Sequence, residues 1–308
     1  MNLKKPKFWN AKNPNIYAYL LLPLSFLIRL FGSYKGKKVN KKIKIKTICV
    51  GNIYVGGTGK TSLSIKINEI LSKKNFKSCF VKKFYKNQLD EQKILKSNGK
   101  LFLSKKRIDA LKQAENENYE IAVLDDGLQD KSIKYDISFV CFNNINWIGN
   151  GMTIPSGPLR EPLSILKKHK NVFINGNLEN LEVLKKEIFK INSEINVHIG
   201  KYEPRNLEEF EKNEKYIVFS GIGNHQTFIS MLKNYGLNIL KEFEFPDHYK
   251  YTKKDISEIL AEANKLKCKI VTTEKDYFRL KSENLSQIKF IKSELKIIDE
   301  EKFLQSLL

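Results

Sequence analysis

The chain has 308 residues and a formal net charge of +21, from 55 Lys and Arg against 34 Asp and Glu. A length of this order predicts two domains, because single hydrophobic cores stop growing near it. Such a charge indicates an anionic partner, which could be nucleic acid, an anionic lipid surface or a phosphorylated substrate. A general enrichment in Lys, Asn and Ile explains the surface lysines equally well, so the charge alone does not identify the partner.

The four cysteines argue against a metal site and against a secreted disulfide scaffold. Each lies in a short apolar run that predicts a strand, and their spacing is not that of metal ligands. We therefore predict buried thiols in a reducing cytoplasm for Cys49, Cys79, Cys141 and Cys268.

The first apolar segment runs without charge from Ile16 to Ile28, between basic residues on both sides. These are Lys4, Lys5, Lys7 and Lys12 before it and Arg29, Lys35, Lys37 and Lys38 after it. Pro23 interrupts the segment, which is short of the roughly 20 apolar residues of a spanning helix, and no good signal-peptide cleavage site follows. We predict that residues 1–34 form a helix lying in a membrane interface. A helix packed on the domain's own core is the alternative.

A glycine-rich loop follows the apolar run at residues 48–50 and precedes a helical pattern. Residues 55–61 read Val-Gly-Gly-Thr-Gly-Lys-Thr, an order of strand, loop and helix that is typical of phosphate binding. Lys60 would reach the outer phosphates, and Thr61 is the expected magnesium ligand. Tyr54 stands where the full pattern has its first glycine, and a glycine-rich turn with an incidental lysine is the alternative. The predicted nucleotide-binding residues are Tyr54, Val55, Gly56, Gly57, Thr58, Gly59, Lys60 and Thr61.

Apolar runs and helical patterns alternate along the chain. We predict strands at 43–50, 78–81, 120–125 and 137–142, helices at 61–74 and 107–114, and a polar stretch to about residue 96. Residues 149–162 predict a functional loop or hinge. Beyond it we predict strands at 172–175, 216–220, 239–245 and 269–273, a helix ending at 235 and another at 253–266.

Near-continuous apolar strands separated by helices indicate a parallel sheet covered on both faces. The predicted fold class is α/β: a P-loop-type, mostly parallel sheet with helices on both faces, a second, smaller α/β lobe and the N-terminal membrane-associated helix. The predicted domains are 1–34 for that helix, 35–165 for the nucleotide-binding domain and 166–308 for the second lobe.

Two acids end the apolar run at residues 121–124. A carboxylate at the carboxyl end of a strand beside the phosphate loop suits magnesium, so Asp125 and Asp126 are predicted metal ligands, directly or through water. An ordinary Asp-Gly turn is the alternative. Membrane-associated switch ATPases carry a lysine where Val55 stands, and residues 273–276 have the wrong order for a guanine-specific motif. ATP is thus the predicted nucleotide.

Further motifs extend nearly from end to end. They are Pro6-Lys7-Phe8-Trp9, Val50-Gly51-Asn52, Asp90-Glu91, Ser104 to Ala110, Asp125-Asp126-Gly127-Leu128-Gln129, Pro155 to Leu163, Ser220-Gly221-Ile222-Gly223, Asp247-His248 and Thr273-Glu274-Lys275-Asp276. In this order, and with the phosphate loop, they resemble the tetraacyldisaccharide 4'-kinases, the lipid A 4'-kinase family of Gram-negative bacteria. That family also lacks the first loop glycine, which accounts for Tyr54.

The resemblance implies a kinase that uses ATP and Mg²⁺ to phosphorylate the 4'-hydroxyl of a membrane-embedded acylated glucosamine disaccharide 1-phosphate. It implies that Asp90 is the catalytic base and His248 its dyad partner. Lys60, the lysine of the phosphate loop, is the third predicted catalytic residue. Phosphate or substrate contacts are implied for Arg107, Arg160 and Gln129. We accordingly expect a monomer on the cytoplasmic face of the bacterial inner membrane, with an anionic membrane surface and no nucleic acid as partner.

Two departures from the family pattern concern the site. The family's Ser-Arg-Gly-Tyr-Gly segment is replaced by Val81-Lys82-Lys83-Phe84-Tyr85-Lys86, so Lys82 or Lys83 must supply what that segment does, unless it is lost. The family's Gln-His is Gln129-Asp130 here, which removes one imidazole near the nucleotide. Reduced or altered activity is the corresponding expectation.

The alternative function is a P-loop ATPase switch that binds nucleic acid or protein partners at the membrane. The basic charge suits both functions, but only the kinase needs acceptor machinery such as Asp90 with His248. His169, His198 and His225 have no predicted role.

Overall fold

The computed structural model describes residues 5–34, 43–86, 88–280 and 285–308. Its strands are β1 (Lys46–Gly51), β2 (Ser78–Lys83), β3 (Leu101–Ser104), β4 (Ile121–Asp125), β5 (Ile137–Asn143), β6 (Asn171–Asn175), β7 (Asn196–Pro204), β8 (Lys215–Ser220), β9 (Asn238–Glu244), β10 (Lys269–Thr273), β11 (Ile288–Ile291) and β12 (Ser293–Ile297). Its α-helices are α1 (Ile16–Leu20), α2 (Leu22–Tyr34), α3 (Lys60–Lys73), α4 (Leu89–Ser97), α5 (Arg107–Asn116), α6 (Leu181–Ile191), α7 (His225–Asn234), α8 (Lys253–Leu266), α9 (Glu274–Tyr277) and α10 (Glu300–Gln305). Short 3-10 helices lie at Lys7–Trp9, Leu163–Lys168, Leu207–Glu209 and Leu285–Gln287.

The strands form two sheets. The larger has eight strands in the order β12-β7-β6-β5-β1-β4-β2-β3, and the smaller has four in the order β11-β10-β8-β9. Strand β1 pairs in parallel with β4 on one side and β5 on the other, and β8 pairs in parallel with both β9 and β10. The predicted α/β fold class with a mostly parallel sheet is confirmed.

The chain divides into two compact units. The larger contains residues 5–200 and 297–308, and the smaller contains Lys201–Lys296. The domain boundary predicted from the sequence, after residue 165, lies earlier in the chain than the division between the two units. The reason is that β6 pairs with β5 and β7 pairs with β6, so both strands extend the large sheet. The chain passes between the units within β7 and again within β12.

Strands β1 and β4 are buried along almost their whole length, as expected for a parallel sheet covered on both faces. Their register pairs Val50 with Asp125, so the residues that follow both strands emerge at one edge of the sheet. The stretch predicted only as polar before residue 96 contains α4, and β3 follows it. The nine residues of α4 are mostly polar and β3 has only four residues, so neither gives a long apolar pattern in the sequence.

The four cysteines are free thiols. Cys49, Cys79 and Cys141 are buried in β1, β2 and β5, as predicted. Cys268 corrects the prediction: it lies one residue before β10 and is only half-buried.

The N-terminal segment forms two short helices instead of one. Asn15 caps α1 by accepting a hydrogen bond from the Ala18 amide at 3.1 Å, and Pro23 lies in the first turn of α2, where a missing N–H costs little. Ser25 is buried, and its hydroxyl lies 2.8 Å from that of Ser156. Lys4, Lys35, Lys37 and Lys38 lie outside the described residues. Within the part that is described, no helix has both the length and the apolar character needed to cross a membrane.

Many large apolar side chains of this segment are nevertheless exposed. They are Ile16, Tyr17, Tyr19, Leu20, Leu22, Leu24, Phe26, Leu27, Ile28 and Leu30. The alternative of a helix buried in the domain's own core is therefore wrong for these side chains, while Ala18 and Ser25 do pack against the protein.

Candidate active site

The phosphate loop connects β1 to the first turn of α3. Gly56 has a φ of 139° and Gly59 a φ of 76°, backbone conformations that glycine adopts without the strain imposed by a side chain. Gly59 is the residue before α3, so the following Lys60 and Thr61 open the helix with their N–H groups unpaired within it. The predicted order of strand, loop and helix is confirmed.

Asparagine side chains that sequence reasoning missed hold this loop. Asn52 is fully buried, and its Nδ2 donates to the Tyr54 carbonyl at 2.7 Å and to Thr58 Oγ1 at 2.9 Å. Asn175, at the end of β6, donates to the Thr58 carbonyl at 2.8 Å. Asn143, at the end of β5, donates in turn to Asn175 Oδ1 at 3.1 Å. The available signal was that both apolar strands end in a polar residue at the same sheet edge as β1.

The loop predicted at residues 149–162 pairs with the phosphate loop. The Val55 amide donates to the Pro158 carbonyl at 2.9 Å, and the Arg160 amide donates to the Ile53 carbonyl at 2.6 Å. The Tyr54 hydroxyl donates to Asn10 Oδ1 at 3.1 Å, and burial raises the pKa of Tyr54 to about 12. The Tyr54 side chain therefore packs inside the protein, while its role in nucleotide binding stays a prediction.

Asp125 ends β4 with a fully buried carboxylate that faces the start of α3. Thr61 Oγ1 lies 3.5 Å from Oδ2 and Ser64 Oγ lies 3.3 Å from Oδ1. The Lys82 ammonium, on β2, lies 2.5 Å from the same Oδ2 and 2.7 Å from Oε2 of Glu91. The strand-end acid is thus surrounded by two hydroxyls and a buried cation.

Asp126 adopts a left-handed backbone conformation, with a φ of 57°, and presents its carboxylate to two cations. Lys60 Nζ lies 3.6 Å and Arg160 Nη1 lies 3.4 Å from Asp126 Oδ1. Burial alone would raise the pKa of Asp126, but the charges of Lys60, Arg160, Lys82 and Arg107 outweigh it and lower that pKa below its ordinary value.

The remaining predicted contact residues join the same cluster. Arg160 Nη1 donates to Gln129 Oε1 at 3.1 Å, and Gln129 Nε2 donates to the Asn52 carbonyl at 2.8 Å. The Arg107 guanidinium donates to the Asp126 carbonyl and forms an ion pair with Asp130 at 3.3 Å. The structure therefore brings together Lys60, Thr61, Asp125, Asp126, Arg107, Arg160 and Gln129.

Asp130 stands where the resemblance leads to a histidine. Its Oδ1 accepts hydrogen bonds from the Ser132 hydroxyl at 2.5 Å and the Ser132 amide at 3.1 Å. Burial would raise the pKa of Asp130, yet these hydrogen bonds and the Arg107 charge lower it. The substitution thus places a carboxylate, held by Arg107, where an imidazole was expected.

Asp90 and His248 belong to different units. Asp90 is in the first turn of α4, next to Glu91. His248, in the smaller unit, has a φ of 58°, and its amide donates to the Gly221 carbonyl at 3.1 Å. Their pairing as a dyad stays a prediction.

Arg279 contacts His248 and was missed by sequence reasoning. Its Nη2 lies 3.4 Å from His248 Nδ1, and its Nη1 donates to Asp276 Oδ1 at 3.0 Å and to the Gly221 carbonyl at 2.8 Å. Thr273 donates to the other oxygen of Asp276 at 2.6 Å. The motif at residues 273–276 therefore fixes the guanidinium that faces His248.

The oxygen donors around the loop fit a magnesium ion. Among the residues that the structure describes, no cluster of three or more His, Cys, Asp or Glu side chains could hold a metal ion alone. Mg²⁺ commonly binds through one or two carboxylates together with substrate phosphates. A hydroxyl from Thr61 and carboxylates from Asp125 and Asp126 are the matching donor types.

Comparison with known proteins places the chain in one family. The family model described as tetraacyldisaccharide-1-P 4'-kinase matches residues 17–308. A tetraacyldisaccharide 4'-kinase of Pelagibacter ubique is 56% identical over 308 residues, covering 100% of this chain and 98% of the relative. The chain belongs to the tetraacyldisaccharide 4'-kinase family.

Other members of the tetraacyldisaccharide 4'-kinase family agree with this assignment. A kinase of that name from Rickettsia canadensis is 34% identical over 300 residues, covering 91% of this chain and 89% of the relative. The crystal structure of LpxK from Aquifex aeolicus in complex with ATP has a TM-score of 0.66 and 23% identity, and covers 95% of this chain and 98% of that one. At that identity the likeness shows the fold.

Membership makes this protein an enzyme of lipid A biosynthesis, a kinase that acts on the 4'-position of a tetraacyldisaccharide 1-phosphate. The resemblance inferred from the motifs is confirmed. The alternative of a P-loop ATPase switch is not supported by these relatives.

Proposed function

We propose that the kinase reaction runs at the edge of the large sheet, where the phosphate loop holds ATP and the γ-phosphoryl group passes to the 4'-hydroxyl. The observation that carries this proposal is the convergence of Lys60 and Arg160 on one oxygen of Asp126, beside the loop. Two cations beside glycine-borne N–H groups suit a triphosphate. The ATP complex of the Aquifex aeolicus LpxK supports the choice of nucleotide.

The two arginines differ in what they can contact. Arg107 is buried, and its guanidinium is engaged by the Asp126 carbonyl and the Asp130 carboxylate. The Arg160 side chain is 31% exposed, and its Nη1 contacts both Asp126 and Gln129. Arg107 therefore holds the backbone at Asp126, and Arg160 is proposed to contact a phosphate of ATP or of the lipid.

A magnesium ion held by Thr61, Asp125 and Asp126 together with ATP phosphates would neutralise charge that develops during transfer. The chain's own contribution is positional: Thr61 and Ser64 orient the Asp125 carboxylate, and Arg107 orients the Asp126 backbone. Lys60 would contact the outer phosphates through the ammonium group at the end of its flexible side chain.

Transfer to a sugar hydroxyl also needs a group that accepts its proton. Asp90 is proposed as that base, because a carboxylate within reach of the hydroxyl removes the proton as the oxygen attacks phosphorus. His248 is proposed to orient Asp90. The family's motif order supports both roles, and the ring contact with Arg279 supports a fixed His248.

The substrate's acyl chains remain in a bilayer, so the enzyme must work at a membrane surface. We propose that the exposed apolar side chains of α1 and α2 enter the headgroup boundary of an anionic leaflet, on the cytoplasmic face of the inner membrane. The net charge of +21 favours that surface. A monomer suffices for this proposal.

The test is the position of the phosphate in the product. The purified protein is incubated with ATP, Mg²⁺ and detergent-dispersed tetraacyldisaccharide 1-phosphate, and the product is examined by ³¹P–¹H correlation NMR. The expected result is a new phosphomonoester coupled to the proton at C4'. A product phosphorylated elsewhere, or ATP hydrolysis without transfer, contradicts the proposal, and an acceptor lacking the 4'-hydroxyl is the matched control.

A further inference from the structure

Lys82 is a charged residue inside the large sheet. Its side chain is 1% exposed, on a strand whose neighbours are β3 and β4. Its ammonium lies 2.5 Å from Asp125 and 2.7 Å from Glu91, two carboxylates on different elements. A lysine is almost never buried to this degree unless it is paired, so both contacts matter to the folded state.

The paired lysine offsets the charge of its acidic neighbours. Its ammonium lies at ion-pair distance from a carboxylate oxygen of Asp125 and from one of Glu91. Lys82 therefore neutralises part of the negative charge at the end of β4.

The Lys82 ammonium contacts side chains on two other elements and so connects three elements of the fold. Lys82 is on β2, Asp125 ends β4 and faces the phosphate loop, and Glu91 is on α4, directly after Asp90. One ammonium group in contact with two carboxylates occupies the kind of position that a divalent cation takes between acidic ligands.

We propose that Lys82 is a built-in cation of the reaction centre, which holds Asp125 and Glu91 together and thereby positions α4 and Asp90 against the phosphate loop. The proposal deepens the function above and rests on it for the role of Asp90. It assigns a task to a residue at which the chain departs from the family's Ser-Arg-Gly-Tyr-Gly segment. Lys82 is a positioning residue here, since it acts through the two carboxylates.

Removal of the charge has two separate consequences. In Lys82→Met, Asp125 and Glu91 face each other without their shared cation, and oxygen ligands of this type attract a divalent metal. The variant should therefore bind an additional Mn²⁺ ion without nucleotide. It should also lose turnover, by about 10- to 100-fold as for other residues that orient ligands, while the KM for ATP changes less because the phosphate loop is intact.

The experiment counts Mn²⁺ bound per chain by electron paramagnetic resonance and measures kcat and KM for wild type, Lys82→Met and Lys82→Arg. The matched control is Lys100→Met, which removes the exposed ion pair of Lys100 with Glu117 at 2.8 Å. One added Mn²⁺ in Lys82→Met together with a lower kcat supports the proposal, as does partial recovery of kcat in Lys82→Arg. An unchanged Mn²⁺ count or an unchanged kcat overturns it.

Glu91→Gln covers the case in which Lys82→Met does not fold. This variant leaves Lys82 paired with Asp125, so it should lower kcat without adding an Mn²⁺ ion, and an unchanged kcat overturns the link through α4. The number of bound Mn²⁺ ions is measured without catalysis, so it tests the role of Lys82 as a shared cation independently of activity. If the wild-type protein fails to phosphorylate the lipid, the proposed function is refuted, and the Mn²⁺ measurement still tests the role of Lys82.

Discussion

Nη2 of Arg279 lies 3.4 Å from Nδ1 of His248 in the smaller unit. A guanidinium group only donates hydrogen bonds, so Nδ1 accepts and the proton of the neutral ring is on Nε2. His248 Nε2 also lies 3.8 Å from a carboxylate oxygen of Asp247, which suits an N–H at that position. In the role proposed for His248, Nε2–H would be the group that donates to a carboxylate base.

We predict that His248 is the Nε2–H tautomer and that Arg279→Gln weakens this preference. Long-range ¹H–¹⁵N correlation NMR distinguishes the two ring nitrogens, and His248→Gln identifies the signal. A pyridine-type Nδ1 in wild type and a mixed population in the variant are expected. A protonated Nδ1 in wild type would contradict the assignment of Arg279.

Asp90→Asn should lower kcat by about 10²- to 10⁴-fold, the usual contribution of a general base. ATP affinity should change little, since Asp90 is on α4 and the phosphate loop is formed by other residues. Asp109→Asn is the matched control, because Asp109 is an acid in the first turn of a helix in the same unit. Loss of ATP binding with normal transfer at saturation would instead assign Asp90 to the nucleotide.

Acid should remove a contribution of Asp126 to stability. The pKa of Asp126 is lowered in the folded state because the cations around it outweigh the effect of burial. That stability is present above the ordinary Asp pKa of about 3.9 and is lost as pH falls through the folded-state value. Urea unfolding should show that wild type loses more stability than Asp126→Asn between pH 5 and pH 3. Equal losses would contradict the ion cluster.

Local patterns predicted the phosphate loop and the strand-end acids. The glycines at 56 and 59, the apolar β1 before them and the acids after β4 all lie within short windows of sequence. Their physics is local, since backbone freedom and strand periodicity need no distant partner. The order of the motifs along the chain then indicated the family.

Local sequence patterns did not predict the side chains that stabilise the site. Asn175 contacts a carbonyl 117 residues earlier in the chain, and Lys82 is stabilised in the interior by ion pairs with Asp125 and Glu91. Arg279 reaches His248 because residues 273–276 fold beside it. These are consequences of tertiary packing, which a one-dimensional pattern does not contain.

The exposed apolar face of α1 and α2 should govern membrane binding. Replacing Leu20, Phe26 and Leu27 by Gln retains the Ser25 contact with Ser156 and should therefore leave the fold intact. The triple variant should sediment less with anionic vesicles and show a higher KM for vesicle-borne substrate, with ATP binding preserved. Val183→Gln with Phe189→Gln, exposed on α6, is the control. Unchanged sedimentation would place the membrane contact elsewhere.

The most direct test of the central claim is transfer of labelled γ-phosphate from ATP to the lipid acceptor by wild type and by Lys60→Ala. Lys60 opens α3, lies 3.6 Å from Asp126 and has a side chain that is 15% exposed, so its removal should not unfold the protein. Lys73→Ala, at the other end of α3, is the control. We predict a loss of about 10²- to 10³-fold in kcat, the contribution of one group that stabilises transition-state charge, while the variant still unfolds in a single cooperative thermal transition. Near wild-type transfer by a folded Lys60→Ala protein would contradict the phosphate-loop mechanism.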